Sequence, residues 1–502
     1  MDQKQNPIGQ RRPRRRSIIH ESCLNTSAYG LSRVARSTDI LSRFFWLISF
    51  TCFTAIMIYF IVRSILAYFE YPTKIDISYV NKWPNYFPAF SLCNLSPVRS
   101  DEIIGLLLNY SNMSNGTNVN GTADINQFSV AFIYDFMVDR MNRNQSIESF
   151  LFSLPVMLQS CSFNNRPCSL SDFVLFTSSL YGFCYTFNAK MKNSSNSTVR
   201  LAGQYGGDGI LSLGIYLHSH QYVPQMTDSV GLIGLIHGNT QLPLIEAAGV
   251  ELAAGRKHRL SYSEKTVRFL PAPYSNCKDE VSSLMQLMLD KYNGADYGYS
   301  EVICYQLCEQ AYVFDQCGCV NPYKWNARSI MLPETNKIIY TTLCSGNDTC
   351  YRDAISVFSA SPSLMNQYCA DCQTQCEKTD FAVQTSSSVA PIESQMNDIK
   401  LFVENSTVPL PTNWSSIWRE QIYNNYLRVD VVRRTGIVEM NSESATLAPV
   451  DLFSNIGGQT GLWIGVSFLS LMELVEIIYR LIRHYFRPNR VNAATDQETT
   501  GT

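Results

Sequence analysis

The sequence predicts an α+β membrane protein in which two membrane-crossing helices bracket one large, disulfide-bonded extracellular domain. Three observations lead there. Two apolar stretches, 44–67 and 454–482, lie near opposite ends of the 502-residue chain; each exceeds the roughly 20 residues that span a bilayer. Fourteen of the sixteen cysteines fall from Cys93 to Cys376, and an even set in an oxidising compartment reads as a disulfide framework. Eleven Asn-x-Ser/Thr sequons lie between the two apolar stretches, from Asn94 to Asn413, as in a chain that follows the secretory route.

The first stretch carries one charge, Arg63. It lies too far in, is too long and lacks the small-residue cleavage site of a signal peptide. Arg11, Arg12, Arg14, Arg15, Arg16, Arg33, Arg36 and Arg43 precede it, and Arg480, Arg483, Arg487 and Arg490 follow the second stretch. The positive-inside rule then places both termini in the cytoplasm of a multi-pass plasma-membrane protein. The expected organisation is a cytoplasmic 1–43, a first span 44–67, an extracellular 68–453, a second span 454–482 and a cytoplasmic 483–502. Cys23 and Cys52 are then free. Expected glycosylation sites are Asn109, Asn112, Asn115, Asn120, Asn144, Asn193, Asn196, Asn347, Asn405 and Asn413. Asn94, before Ser96-Pro97, is a poor acceptor, and Asn25 is cytoplasmic.

Within the domain, 109–122 is rich in Asn, Ser, Gly and Thr and reads as a glycosylated loop. The pattern turns helical from 125 to 152, where aromatic residues concentrate. Strands are expected at 182–187, 209–217 and 427–432, and helices at 281–289 and 303–311, the latter with Cys304 and Cys308 on one face. The arginine run at 11–16 either meets anionic membrane lipid or merely sets topology. No H-E-x-x-H, G-x-S-x-G or Walker loop occurs, so no enzyme, cofactor or metal beyond a permeant ion is expected. A net charge of −2 gives no reason to expect a nucleic-acid partner.

The segment Ser454-Asn-Ile-Gly-Gly-Gln-Thr-Gly-Leu-Trp-Ile-Gly-Val-Ser467 places four glycines at a membrane span. Small residues let membrane helices approach closely, and backbone carbonyls can form a cation filter. Glu473 and Glu476 follow in the same stretch, and carboxylates at membrane depth face a bundle interior or a water-filled path. From these residues alone, a single-pass anchor with a glycine-rich start stays open.

Five segments carry a resemblance that covers nearly the whole chain. They are Phe87-Pro-Ala-Phe-Ser-Leu-Cys-Asn94, Gly182-Phe-Cys-Tyr-Thr-Phe-Asn188, Leu270-Pro-Ala-Pro-Tyr-Ser-Asn-Cys277, Cys317-Gly-Cys319 and Ile456–Ser467. Together they resemble the degenerin/epithelial sodium channel family. The resemblance implies a homotrimer, heteromers being possible, with hand-shaped subunits of palm, finger (about 97–182), thumb (about 274–376), knuckle and β-ball. It implies an amiloride-sensitive sodium channel with Gly465, Val466 and Ser467 as selectivity filter. Ser454, Gly457, Gly458 and Gly461 become the gate, Glu473 and Glu476 the pore carboxylates, Tyr29-Gly30 the cytoplasmic loop, and Phe69 with Tyr274 the wrist contact. The implied disulfides are Cys93–Cys184, Cys161–Cys168, Cys277–Cys376, Cys304–Cys372, Cys308–Cys369, Cys317–Cys350 and Cys319–Cys344. Three positions depart from the family: Tyr29 stands where histidine is usual, Val466 where alanine or serine is, and Asp430-Val-Val-Arg-Arg434 replaces an aromatic-acidic strand.

The stimulus is read by elimination. The acid-sensing branch uses juxtamembrane histidines and acidic pairs, but 69–74 lacks histidine and His237–Pro243 lacks carboxylates. The finger instead sets Phe128, Phe132, Tyr134, Phe136 and Tyr181 among Asp135, Asp139 and Asp172. Aromatic walls with a carboxylate suit a short amidated peptide bearing an arginine, so the chain is most similar to the FMRFamide-gated sodium channels. A proton-gated or constitutive channel, and a non-conducting cysteine-rich receptor, are the alternatives.

Overall fold

The computed structural model describes residues 24, 29–82, 85–115, 125, 128–192, 199–202, 209–224, 226–292, 294–332 and 337–485. They fall into two compact units, Met1–Lys74 with Ala445–Thr502, and Ile75–Ser444.

In the first unit the helix Ile40–Phe69 is 30 residues long and is apolar enough to cross a membrane. It overruns the expected 44–67 at both ends, because Arg43 bounds an apolar stretch but does not stop a helix. Asp39, in extended backbone, stands at its start. A shorter helix, Tyr29–Arg36, precedes it. A Cβ on Gly30 would lie 2.5 Å from the Phe50 ring, so a side chain here would force Phe50 aside. The second apolar stretch corrects the expectation of one continuous helix over 454–482. It forms two helices, Pro449–Ile464 and Phe468–Tyr485, broken at 465–467. Trp463 stacks on both Phe53 and Phe60, with ring centres 6.1 and 6.0 Å away. Aromatic pairs of this kind contribute about 0.5–1.5 kcal/mol beyond area burial.

The second unit is built on two sheets. In the eight-stranded sheet the order is Thr73–Asn81, Ile437–Ala445, Arg256–Arg268, Tyr426–Arg433, Leu211–Tyr216, Leu158–Phe163 and Arg166–Pro167, with Glu377–Val389 also paired to Arg256–Arg268. The five-stranded sheet runs Phe173–Ser178, Gly182–Phe187, Ala89–Asn94, Gly231–His237, Val250–Ala253. Its central strands are buried throughout. Phe87 joins the sheets, edge-on to Phe163, Phe187 and Tyr262 at 5.0, 6.3 and 6.0 Å.

Seven disulfides are formed: Cys93–Cys184, Cys161–Cys168, Cys277–Cys376, Cys304–Cys372, Cys308–Cys369, Cys317–Cys350 and Cys319–Cys344. Five of these nest, with separations of 99, 68, 61, 33 and 25 residues. They tie the helix Glu301–Cys317 to the segment that runs through Cys350–Ala360 and Pro362–Tyr368. Cys369 and Cys372, three residues apart, bond Cys308 and Cys304 and not each other. Cys52 is free, and Cys23 lies outside the described residues.

Two local readings change. The helix Ser100–Asn115 occupies the start of the expected 109–122 loop, because Ile103 and Leu107 bury one face at i, i+4 spacing. The expected 125–152 helix is confined to Val130–Asn142, capped by Ser129, with one short turn at Glu148–Phe150. Asn109, Asn144, Asn347, Asn405 and Asn413 are exposed. Asn112 and Asn115 lie on the Ser100–Asn115 helix, while Asn25, Asn120, Asn193 and Asn196 fall outside the described residues. Asn94 is buried; its amide donates to Leu217 O, and its oxygen accepts from Ser96 N–H and the Tyr222 hydroxyl.

The departure at 430–434 is absorbed into the large sheet. Tyr426–Arg433 pairs parallel with Arg256–Arg268 and antiparallel with Leu211–Tyr216. Asp430 takes hydrogen bonds from Ser212 Oγ at 2.6 Å and Arg428 Nε at 3.4 Å, and an ion pair from Lys257 Nζ at 2.7 Å. Burial works against its ionisation, but the bonds from Lys257 and Ser212 prevail and hold its carboxyl below the usual range. Asp430→Asn should therefore lower folding stability by about 1–3 kcal/mol in a thermal melt of the solubilised protein. The sign follows from the depressed pKa. Wild type keeps this contribution above the unfolded carboxyl value, about 3.9, and loses it as pH falls through the lower folded value. The difference between wild type and variant should shrink over that acidic window.

Candidate functional site

The break at 465–467 has a local cause. Gly465 has φ 68°, in the left-handed region, where a side chain is strained and glycine is not. Its N–H bonds Gly461 O at 3.2 Å, and Val466 N–H bonds Thr460 O at 3.3 Å, closing the first helix. Ser467 N–H then donates to Ser470 Oγ at 3.0 Å while Ser470 N–H donates to Ser467 O at 3.0 Å, opening the second. Carbonyls released from helical bonding are free for other partners, the condition a carbonyl filter requires. Glu473 and Glu476 sit three residues apart on the following helix, on one face and about a turn from each other.

Gly457, Gly458, Gly461 and Gly465 share a second property. Beyond the adjoining residues and the backbone of its own helix, a Cβ on any of them would meet no heavy atom of this chain within 4 Å. Ser454, one turn earlier on the same helix, is also exposed within the chain. Packing inside one copy therefore does not explain their smallness. Trp463 Nε1 donates to Gln459 Oε1 at 2.6 Å, holding its indole for the stack on Phe53 and Phe60. Of the wrist pair, Phe69 lies edge-on to Tyr68 and Tyr71 at 5.4 and 6.3 Å. Tyr274 sits in the Leu270–Cys277 turn, its N–H on Pro271 O.

The aromatic and acidic residues separate into two neighbourhoods. Phe128 stacks on Phe132 at 5.5 Å, and Tyr110 meets Phe132 and Phe136 at 5.4 and 5.2 Å. Burial raises the Tyr110 hydroxyl pKa, and the charges of Asp135 and Asp139 raise it further. Asp135 accepts from Ser345 Oγ and Gly346 N–H at 3.0 and 3.3 Å, while Asp139 pairs at 3.0 Å with Arg143, whose side chain is 64% exposed. Tyr134 faces Tyr323 at 5.5 Å. Asp172 stands apart. It is bound to Arg200 and caps Ser169 in a short turn. Tyr181 packs with the Phe176–Ile303 core. Tyr110, unremarked in the sequence, completes the first group; its i, i+3 relation to the buried Leu107 was the available signal.

Among the described histidines, His218, His237 and His258 are interior groups. His237 Nδ1–H donates to Gly238 O and its Nε2 meets Ser91 Oγ at 2.8 Å. Burial pushes its pKa down to about 4, and does the same to His218.

A family model described as amiloride-sensitive sodium channel matches residues 22–477. The chain belongs to that family. It is a cation-channel protein of the amiloride-sensitive type and not an enzyme. Acid-sensing ion channel 1A of Danio rerio is 24% identical over 489 residues, 91% of this chain and 87% of its own. Acid-sensing ion channel 1 of Gallus gallus is 25% identical, covering 92% and 83%. Degenerin mec-10 of Caenorhabditis elegans is 25% identical, covering 68% and 44%. These relatives are acid-sensing channels and a degenerin, and none is peptide-gated by name.

Two outcomes test this site. Ser454→Trp should raise standing current in channels that reach the surface, because a bulky group on the exposed glycine face props neighbouring helices apart. Wild-type closure with tryptophan in place would remove Ser454 from the gate. Below about pH 6.5 the unfolded chain takes protons on His218 and His237 that the folded chain refuses. Wild-type stability should therefore fall as pH drops from there to about 4. His237→Gln should flatten that fall in a melting-temperature series.

Proposed function

We propose that this chain forms a homotrimeric, sodium-selective, amiloride-blocked channel of the plasma membrane. Both termini are cytoplasmic, and an extracellular amidated peptide of the RFamide type opens it. The observation that carries the pore is the glycine face at 457, 458 and 461, unfilled by the chain's own atoms. Copies of the same helix around one axis would use that smallness. Gly465, Val466 and Ser467 then line the narrowest passage, with Glu473 and Glu476 drawing cations from below. Val466 keeps the carbonyl chemistry if its side chain turns outward. Phe69 and Tyr274 relay motion of the thumb to the first span, a finger and palm completing the hand.

For the stimulus, support comes from Tyr110, Phe128 and Phe132 beside Asp135 and Asp139. The Asp139–Arg143 pair is open to solvent, and such pairs contribute only about 0–1 kcal/mol, so an incoming guanidinium can replace Arg143. The acid-sensing relatives favour proton gating as the second reading. Against it, His218 and His237 are buried with pKa values near 4, and 69–74 holds no histidine. Ligand binding opens the channel only through tighter binding to the open state.

Patch clamp of cells expressing this chain alone separates the readings. RFamide peptides should evoke amiloride-blocked sodium current, and the des-amide form should be weaker. Asp139→Asn should reduce peptide sensitivity by about 1.5–3 kcal/mol at unchanged maximal current, whereas Asp172→Asn should leave it unchanged. Current from acid steps with none from any RFamide peptide rejects peptide gating in favour of the proton reading. Surface protein without current under either stimulus rejects the homomeric channel.

A further inference from the structure

Two histidines one residue apart, His218 and His220, follow the strand Leu211–Tyr216. Each ring is held by the same nitrogen. His218 Nε2–H donates to Val156 O at 2.9 Å, and His220 Nε2–H donates to Pro409 O at 2.7 Å. A carbonyl only accepts, so both rings carry their proton on Nε2 and present a bare lone pair at Nδ1. Both Nδ1 atoms are buried with no hydrogen-bond partner, as is the hydroxyl of adjacent Tyr216. His218 is 1% exposed. Backbone carbonyls that fix the tautomer and leave the other nitrogen bare are the usual outer support of metal-ligating histidines.

The spacing fits one shared ion. A metal–nitrogen bond of about 2.0–2.1 Å, added to the imidazole radius, puts an ion about 3.2 Å from each ring centre. Two rings on one ion then stand about 5.2 Å apart at a tetrahedral angle and about 6.4 Å apart in line. The two ring centres here are 5.9 Å apart, at an interplanar angle of 61°.

We infer that His218 and His220 form a binding site for a borderline divalent transition-metal ion such as Zn2+, with water completing the coordination. Neutral imidazole suits Zn2+ and disfavours the oxygen-seeking Ca2+ and Mg2+. A bound ion would link three pieces of chain: the end of Leu211–Tyr216, the helix Leu154–Met157 through Val156, and the 405–413 loop through Pro409.

The test uses the purified full-length protein. In calorimetric titration, wild type should bind one Zn2+ per subunit that His220→Ala loses or binds at least about tenfold more weakly. His218 is fully buried, so its variants risk misfolding; partly exposed His220 carries the test, with metal-free melting temperature as the folding control. A second readout is independent of affinity. With Co2+ as probe, His220→Cys should gain a near-ultraviolet thiolate-to-cobalt band that wild type lacks. Equal Zn2+ binding by wild type and His220→Ala, or no added band in folded His220→Cys, overturns the site. So does the absence of binding at roughly 100 μM Zn2+, where a micromolar site would be saturated.

Discussion

The backbone at Gly465 turns left-handed, and the membrane part of the chain depends on that turn. An α-helix satisfies its own polar groups and offers nothing to an ion. Breaking it inside an apolar segment exposes carbonyls, which is tolerable only where protein or a water-filled path receives them. Glycine supplies the turn without strain, and Ser467 with Ser470 restarts the helix at once. The break is thus short and capped on both sides, as a fixed constriction requires. The stack of Trp463 on Phe53 and Phe60 holds the preceding turn against the first helix, so the break is braced within the subunit.

A different kind of rigidity governs the other unit. Five nested disulfides close loops of 25 to 99 residues over one helix. In the chain-entropy picture each such bridge is worth about 3–5 kcal/mol alone, but nested bridges share the same lost freedom and do not add. Their structural effect is to make the cystine-bonded helices move as one body. The sheets are joined by Phe87 and by the buried amide of Asn94, which serves three partners at once.

Much of this was legible in the sequence because hydropathy, cysteine count and motif spacing are local signals. The first span and the strands at 182–187 and 211–216 were of that kind. The break at Gly465 was not, because an apolar run looks continuous whatever its backbone does; only the glycine's handedness shows it. The helix Ser100–Asn115 was hidden by an Asn- and Ser-rich end, although Ile103 and Leu107 marked its buried face. Asp172 looked equivalent to Asp135 and Asp139, yet its engagement with Arg200 is a tertiary fact that no spacing reveals. The paired tautomers of His218 and His220 depend on carbonyls 62 and 189 residues away along the chain.

The central claim is that the left-handed turn at Gly465, and not glycine content in general, sets ion preference. The direct measurement is the bi-ionic sodium–potassium reversal potential of wild type, Gly458→Ala and Gly465→Ala. Gly458 is in right-handed helix two turns before the break, so alanine there, whatever it does to gating, should leave the potential unchanged. Alanine at Gly465 should strain the turn by about 1–2 kcal/mol and move the potential toward that of an unselective cation pore. A wild-type reversal potential in Gly465→Ala would contradict the account.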